Sequence, residues 1–324
     1  MTTQTQNQAQ SKTVSQVFGI DPATLTADPV VKVRTDVPDW AQPYIPTVKN
    51  HSFNREVYND LQEFNLLGYK DGCLFVTGPK GAGKSSTIEQ YYARLGQPVF
   101  RITGHARLEL SDLIGLMSVR EGQTVFQHGP LSLAAMSGGI FLFDEADACP
   151  PEVLVGLHGI LEMGDHFVIA ENGSQVVKIH PAFRVVVTGN TAGDGDVSGE
   201  YAGTVVQNSA TLDRFNFLEW DYPDFDVEKS ILLSAVPQLQ KAPRIAEDLL
   251  VAARDTRADG GVEPISTRAL IRWARKAVAF KGNPLQRSLD RAFAFRLDPA
   301  RRNEVYAICA AVIGETGFYG KKGA

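Results

Sequence analysis

The sequence predicts an α/β fold: a three-layer core with a parallel sheet, an inserted β-hairpin, and a small α-helical lid domain behind it. Three observations carry this. Five short apolar runs alternate with helical patterns between residues 73 and 221, and runs that are apolar throughout suit strands covered on both faces. A glycine-rich phrase, Gly78-Pro-Lys-Gly-Ala-Gly-Lys84-Ser85, joins the first run to a helical pattern. After Asp221 the runs cease, and only helical patterns follow.

The composition is that of an ordinary globular chain. Its 324 residues suffice for two packed units at roughly 100–200 residues per domain. Lys plus Arg number 32 against 37 Asp plus Glu, a net charge of −5, so a general electrostatic grip on nucleic acid or an anionic membrane is not expected. Cys73, Cys149 and Cys309 form no C-x-x-C pair and stand among apolar or small residues; buried, inert thiols are expected. None of the six histidines stands at metal-ligand spacing to another. No apolar run approaches the ~18 residues needed to span a bilayer. The first residues have neither a basic nor an apolar signal region, which points to a cytoplasmic address.

The elements follow in chain order. Residues 1–16 are mostly Gln, Thr, Ser and Asn and read as a disordered tail. Residues 17–50 open on the apolar clip Val17-Phe-Gly-Ile20 and contain five prolines, which predicts an extended lead-in. The core spans 51–222. A helix is expected over about 54–63, then a strand at Cys73–Thr77 and a helix over 85–95. Strands follow at 98–103, 139–144, 183–189 and 216–221, with helices over 131–136 and 151–162 between them. Between the third and fourth strands, residues 166–180 place two β-type arms around Asn172-Gly173, a strong hairpin signal. The lid spans 223–324, with helices over 228–236, 243–257, 267–280 and 303–314.

Two motifs carry chemistry. The glycine phrase fits G-x-x-x-x-G-K-[ST] at every position, between a strand and a helix as the motif requires. Its backbone N–H groups can close around phosphate oxygens at a helix N-terminus. Lys84 can reach the outer phosphates, and the Ser85 hydroxyl can ligate Mg²⁺. The second motif is Ile140-Phe-Leu-Phe-Asp144-Glu145. At a strand end beside a phosphate loop, Asp144 would join the Mg²⁺ shell and Glu145 would polarise an attacking water. An acidic strand-to-helix turn has the same letters, and the phosphate loop favours catalysis. Asp147 reads as a cap or a surface charge.

With Asn190 closing the next run and Leu212-Asp-Arg-Phe215 ahead of the fifth, the chain resembles the AAA+ ATPases, with their three-layer P-loop core. Asp112-Leu-Ile-Gly115, Phe126-Gln-His-Gly-Pro-Leu131 and the hairpin before Pro181-Ala-Phe-Arg184 are similar to the MoxR-like branch. Asn190-Thr-Ala-Gly-Asp-Gly-Asp196, Gly199-Glu-Tyr-Ala-Gly-Thr204, Asn208 and Ile265-Ser-Thr-Arg268-Ala-Leu270 resemble CobS, the ATPase subunits of aerobic cobaltochelatases. The resemblance covers about residues 15–280.

The resemblance implies ATP and Mg²⁺ as cofactors. Gly78, Pro79, Lys80, Gly81, Ala82, Gly83, Lys84, Ser85, Ser86 and Asp144 would hold the nucleotide, with Ser85 and Asp144 as metal ligands. Glu145 would be the catalytic base, Asn190 a first sensor, Arg214 an arginine finger completing a neighbour's site, and Arg268 a second sensor. Arg214 is expected at the edge of the core, and the phosphate loop at the middle of the sheet. A homo-oligomeric, hexameric ring is implied, with a von Willebrand-type partner and a large chelatase subunit. A MoxR-like chaperone without a cobalamin role stays open beside this reading. Residues 266–302 hold ten Lys or Arg against two acids, which leaves a nucleic-acid translocase as a third and weaker reading.

Overall fold

The computed structural model describes residues 10–19, 30–162, 164–196, 201, 203–279 and 284–320. Residues 1–9 of the expected tail, residues 20–29 of the lead-in, part of the phrase from Gly199 to Thr204, and Phe280 at the end of a lid helix lie outside them. The chain separates into two compact units. One comprises residues 1–49, 55–78 and 84–220, and the other residues 50–54, 79–83 and 221–324.

The first unit is built on five parallel strands: β1 (Cys73–Thr77), β2 (Val99–Thr103), β3 (Ile140–Asp144), β4 (Arg184–Thr188) and β5 (Phe215–Glu219). Their order is β5-β1-β4-β3-β2. Every residue of β1, β3 and β4 is buried, which is why these runs show no polar alternation. Phe75, Phe141, Phe143, Val185 and Val187 share one core cluster, and each such side chain contributes about 1.5–3 kcal/mol on burial. The phosphate loop thus leaves the second strand from the edge, next to β5, and not the middle of the sheet. The central place goes to β4, which enters only after the hairpin insertion.

The helices include α1 (Arg55–Leu67), α2 (Lys84–Arg94) and α3 (Pro130–Ser137). The single helix expected over 151–162 is instead two short ones, α4 (Pro151–Val155) and α5 (His158–Leu161). Gly156 lies at the break, where a poor helix former weakens the run. The short α6 (Ser209–Leu212) precedes β5. The expected hairpin pairs His166–Ile169 with Gln175–Lys178 antiparallel. A second hairpin, Gly115–Arg120 against Gln123–His128, was not expected. It turns at Glu121 and Gly122, both at positive φ, a two-residue turn more usually written with Asn or Asp.

The tail requires a correction. Gln10–Thr13 is a strand, paired antiparallel with Val30–Val33. Thr13 and Gln16 form a capping box for the helix Val14–Phe18, which anchors residues 10–19 through buried Val14 and Phe18. Phe18 packs against Tyr58 and Tyr91 at ring distances of 4.9 and 5.2 Å. Polar composition concealed a cap and two apolar anchors.

The lead-in joins the core at Arg34, whose Nη1 donates to the Gly138 carbonyl at 2.6 Å and whose Nε pairs with Asp36 at 2.6 Å. His180 lies 3.4 Å from Arg34 Nη2, and its Nδ1 accepts from the Ala182 N–H at 3.0 Å. Burial, and then the Arg34 charge, hold the half-buried His180 below the usual histidine range, against a smaller pull from Asp36. The unfolded ring takes a proton near pH 6.5, while the folded ring resists it to lower pH. Stability should therefore fall as pH drops below about 6.5. The carboxylates of Asp36 and Asp144 are held low and titrate further down. Burial shifts His128 in the same direction, so His180→Gln should reduce, and not abolish, the loss of stability between pH 7.5 and 5.5 in urea titrations.

The second unit contains α7 (Phe225–Ala235), α8 (Pro243–Ala258), α9 (Thr267–Ala279), α10 (Leu285–Ala292), α11 (Pro299–Ile313) and α12 (Glu315–Tyr319). Trp273, Leu249, Leu250, Leu270, Leu289 and Phe318 form its core. Glu228 is fully buried there, accepting from Nη1 and Nη2 of Arg257 at 2.8 Å and from Thr267 Oγ1 at 2.5 Å. All three cysteines are free and buried, and burial pushes each thiol up to about 12. Among the described residues, no helix is long and apolar enough to cross a membrane.

Candidate active site

The site begins where β1 stops being covered. Gly78 follows Thr77 at φ +139°, and a Cβ there would stand 1.9 Å from the Trp220 carbonyl. Only glycine lets the loop leave the strand so close to the chain that continues β5. At the other end of the loop, Lys84 opens α2. Its buried ammonium donates to the Gly78 carbonyl at 2.6 Å and to Asn190 Oδ1 at 3.1 Å. The loop is thereby folded back on its own lysine, with first-turn N–H groups of α2 at its mouth. Ser86 lies on the exposed side of that turn.

Ser85 Oγ donates to Asp144 Oδ1 at the C-terminal end of β3. Thr188, the last residue of β4, donates to the same oxygen at 2.5 Å. Arg101 on β2 reaches Asp144 Oδ2 and also pairs with Glu89 at 3.0 Å. Burial pushes the Asp144 carboxyl up, but the hydrogen bonds from Ser85 and Thr188 and the Arg101 charge outweigh it, leaving the group below its usual range. Asp144 is thus an anionic oxygen beside a hydroxyl. That pair suits a hard divalent cation, with the remaining ligands from phosphate and water. Among the described residues, no group of three or more His, Cys, Asp or Glu side chains forms a metal cage.

Glu145 follows directly, exposed, with left-handed backbone angles φ 53° and ψ 42°. That conformation costs a non-glycine residue on the order of 1 kcal/mol. The surroundings hold it: the Glu145 N–H donates to Thr188 Oγ1 at 3.3 Å, and the Gly104 N–H donates to the Asp144 carbonyl at 2.7 Å. A Cβ at Gly104 would lie 2.2 Å from the Glu145 carbonyl. The carboxylate itself is tied to no described residue and is open to solvent.

Asn190 is set at the end of β4 by an unexpected partner. Asp147 is neither a cap nor a surface charge: it is fully buried. Its Oδ2 accepts from the N–H groups of Asn190 and Thr191 at 2.8 and 2.9 Å and from Thr191 Oγ1 at 3.1 Å. Thr188, Arg101 and Asp147 were all missed as site residues. Only Arg101 left a signal, as the lone charge inside an apolar run.

The loop interior, residues 79–83, groups with the helical unit. Lys80 Nζ lies 2.8 Å from Glu263 Oε1, and Arg296 Nη2 lies 2.5 Å from the same oxygen. Burial raises the Glu263 carboxyl, but these two cations bring it below its usual range. Lys80 therefore joins a side-chain network of its own unit. A Cβ at Gly81 would stand 2.8 Å from the Ser266 side chain and 3.5 Å from Arg268 Cβ, so Arg268, exposed in the first turn of α9, lies beside the loop. Pro79, Ala82 and Gly83 complete the turn, with the Ala82 N–H 3.4 Å from the Pro79 carbonyl.

Arg214 is elsewhere. In the parallel pair β5·β1, Phe215 lies opposite Cys73 and Glu219 opposite Thr77. Arg214 therefore precedes the strand end far from the phosphate loop, separated from it by a full strand, about 13 Å. Its Nη1 donates to the Ala210 carbonyl, and its Nη2 donates to Glu162 Oε1 at 3.1 Å.

Lys84, Ser85, Asp144 and Asn190 thus converge at the C-terminal ends of β1, β3 and β4. Residues 73–215 match the AAA domain of the dynein-related subfamily. The aerobic cobaltochelatase subunit CobS of Sinorhizobium sp. is 32% identical over 296 residues, spanning 88% of this chain and 83% of that one. The chain belongs to the AAA+ ATPases, in their MoxR-like, CobS-related group. This AAA+ protein is also 25% identical over 224 residues to CbbQ of Hydrogenophilus thermoluteolus, covering 69% of this chain and 81% of that one. Among solved structures, a RuvB variant of Thermotoga maritima aligns at a TM-score of 0.47 with 16% identity, covering 85% of this chain and 76% of that one.

Proposed function

We propose that the chain binds ATP with Mg²⁺ and hydrolyses it in a hexameric ring of identical subunits, coupling turnover to the remodelling of a partner complex. The observation that carries this is the convergence of Lys84, Ser85, Asp144 and Asn190 on the mouth of the glycine loop. Lys84 and the loop N–H groups hold the outer phosphates, and Asn190 shares the lysine and orients a water. Ser85 and Asp144 hold Mg²⁺, which supplies neutralising charge against the phosphate oxygens. Glu145, held out by its left-handed backbone, takes the proton of the attacking water. Arg268, which lies beside Gly81 of its own unit, serves as the second sensor. Arg214 serves the neighbouring subunit, because its own phosphate loop lies a strand length away.

The kinship with CobS favours a chelatase motor as the setting, with a large chelatase subunit and a von Willebrand-type protein as partners. The kinship with CbbQ favours the second reading, a MoxR-like remodelling ATPase with no cobalamin role. Pull-down of the assembled chain in ATP separates them: a large chelatase subunit in the bound fraction supports the first reading, and its absence from a fraction holding another complex supports the second.

The inserted hairpin is the candidate contact. Val168 and Val176 face each other across its strands and are 52% and 63% exposed. An apolar cross-strand pair left in water suits a partner surface. Shortening residues 170–175 should leave ATP turnover within a few fold and abolish remodelling of the bound partner. Loss of turnover in a folded, assembled variant would make the hairpin structural instead.

A further inference from the structure

Arg214 is held by the helix that leads into the hairpin. Helices α5 and α6, with the residues just past their C-terminal ends, meet at two points. His158 Nε2 lies 2.6 Å from Thr211 Oγ1, whose residue is fully buried, and Glu162 Oε1 accepts from Arg214 Nη2 at 3.1 Å. Glu162 caps α5 and stands four residues before the hairpin strand that starts at His166. The guanidinium is fixed on two sides: Nη1 on the Ala210 carbonyl of the preceding helix α6, Nη2 on Glu162, while Nε is buried without a partner. Each Nη has a second N–H, so two donors in a fixed fork remain for an oxyanion.

We infer that Glu162 is a positioning residue for Arg214, which aims the guanidinium at a phosphate of the adjoining subunit from the root of the hairpin. The inference rests on Arg214 acting as a finger. The carboxylate is 62% exposed on its side chain and the arginine 27%, so the pair adds little to stability. Its effect should be directional. A long side chain released from one of two tethers no longer presents its fork in one place, and small misplacements of a catalytic group are costly.

The experiment uses the full-length, assembled chain. Glu162→Ala should lower kcat by about tenfold or more, with KM for ATP, ring size and melting temperature unchanged. Glu162→Gln, whose amide oxygen can accept the same hydrogen bond, should restore most of the turnover. Mixed rings then locate the defect. Glu162→Ala combined with Glu145→Gln should recover activity, since one interface pairs an intact Glu145 with an intact arginine arm. Glu162→Ala combined with Arg214→Ala should not, because both lesions lie in the same arm. Recovery in that second mixture, or wild-type turnover in Glu162→Ala while Arg214→Ala is inactive, would overturn the positioning role. Wild-type turnover in Arg214→Ala alone would instead remove the finger reading on which the inference rests.

Discussion

Glu145→Gln should bind ATP and Mg²⁺ normally and lose turnover by roughly 10²–10⁴-fold, the usual yield of a positioned general base. The reasoning is local. In the proposed site the phosphates are held by the loop, Lys84, Ser85 and Asp144, none of which touches the Glu145 carboxylate, and a glutamine fits the same left-handed backbone as readily as a glutamate. Lys84→Ala should fail differently. Its ammonium holds both the Gly78 carbonyl and Asn190, so its loss weakens nucleotide affinity and loosens the loop. Fluorescent-nucleotide titration beside steady-state phosphate release separates the two. Wild-type hydrolysis by Glu145→Gln would remove Glu145 from the role of base.

Arg214→Ala should cost on the order of 10³-fold in turnover and little in ATP affinity, as loss of an arginine finger does. Because Arg214 precedes the far end of β5, its defect should be complemented from outside the subunit. Rings mixed from Arg214→Ala and Glu145→Gln, each inactive alone, should regain activity at interfaces that pair an intact Glu145 with a neighbour's intact Arg214. No recovery in rings shown to be mixed would mean that Arg214 acts within its own subunit or only in folding. The folding alternative has a structural measure here: the arginine ties α6 to Glu162, an exposed pair whose loss should shift stability by no more than about 1 kcal/mol.

Much of the fold was legible because its strands are buried on both faces. Cys73–Thr77, Ile140–Asp144 and Arg184–Thr188 read as unbroken apolar text for that reason, and the glycine phrase could be placed on the end of the first. The Gly115–Arg120 hairpin escaped notice because Leu116, Met117 and Val119 are exposed, so its apolar residues follow no buried face. Residues 10–16 misled through their composition, since one capping box and the buried Val14 and Phe18 order a segment that is otherwise polar. In the site, Ser85, Asp144 and Lys84 lie in motifs whose spacing is local. Asp147 does not. Its role depends on Asn190 and Thr191, more than forty residues later in the chain, reaching it across adjoining strands. The same holds for Lys80, whose partner Glu263 is separated from it by 183 positions. The place of Arg214 came from strand register, which no single segment carries.

The three buried thiols have a practical side. A cysteine introduced at an exposed position would be chemically alone in this chain, since Cys73, Cys149 and Cys309 are shut from solvent and resist ionisation. The hairpin tip at Ser174, whose backbone already turns in the left-handed region, offers one such place, and the exposed surface of α9 another. A maleimide dye or a spin label would find one address per chain without first stripping the native sequence, and the hairpin and the helical unit would become separately visible.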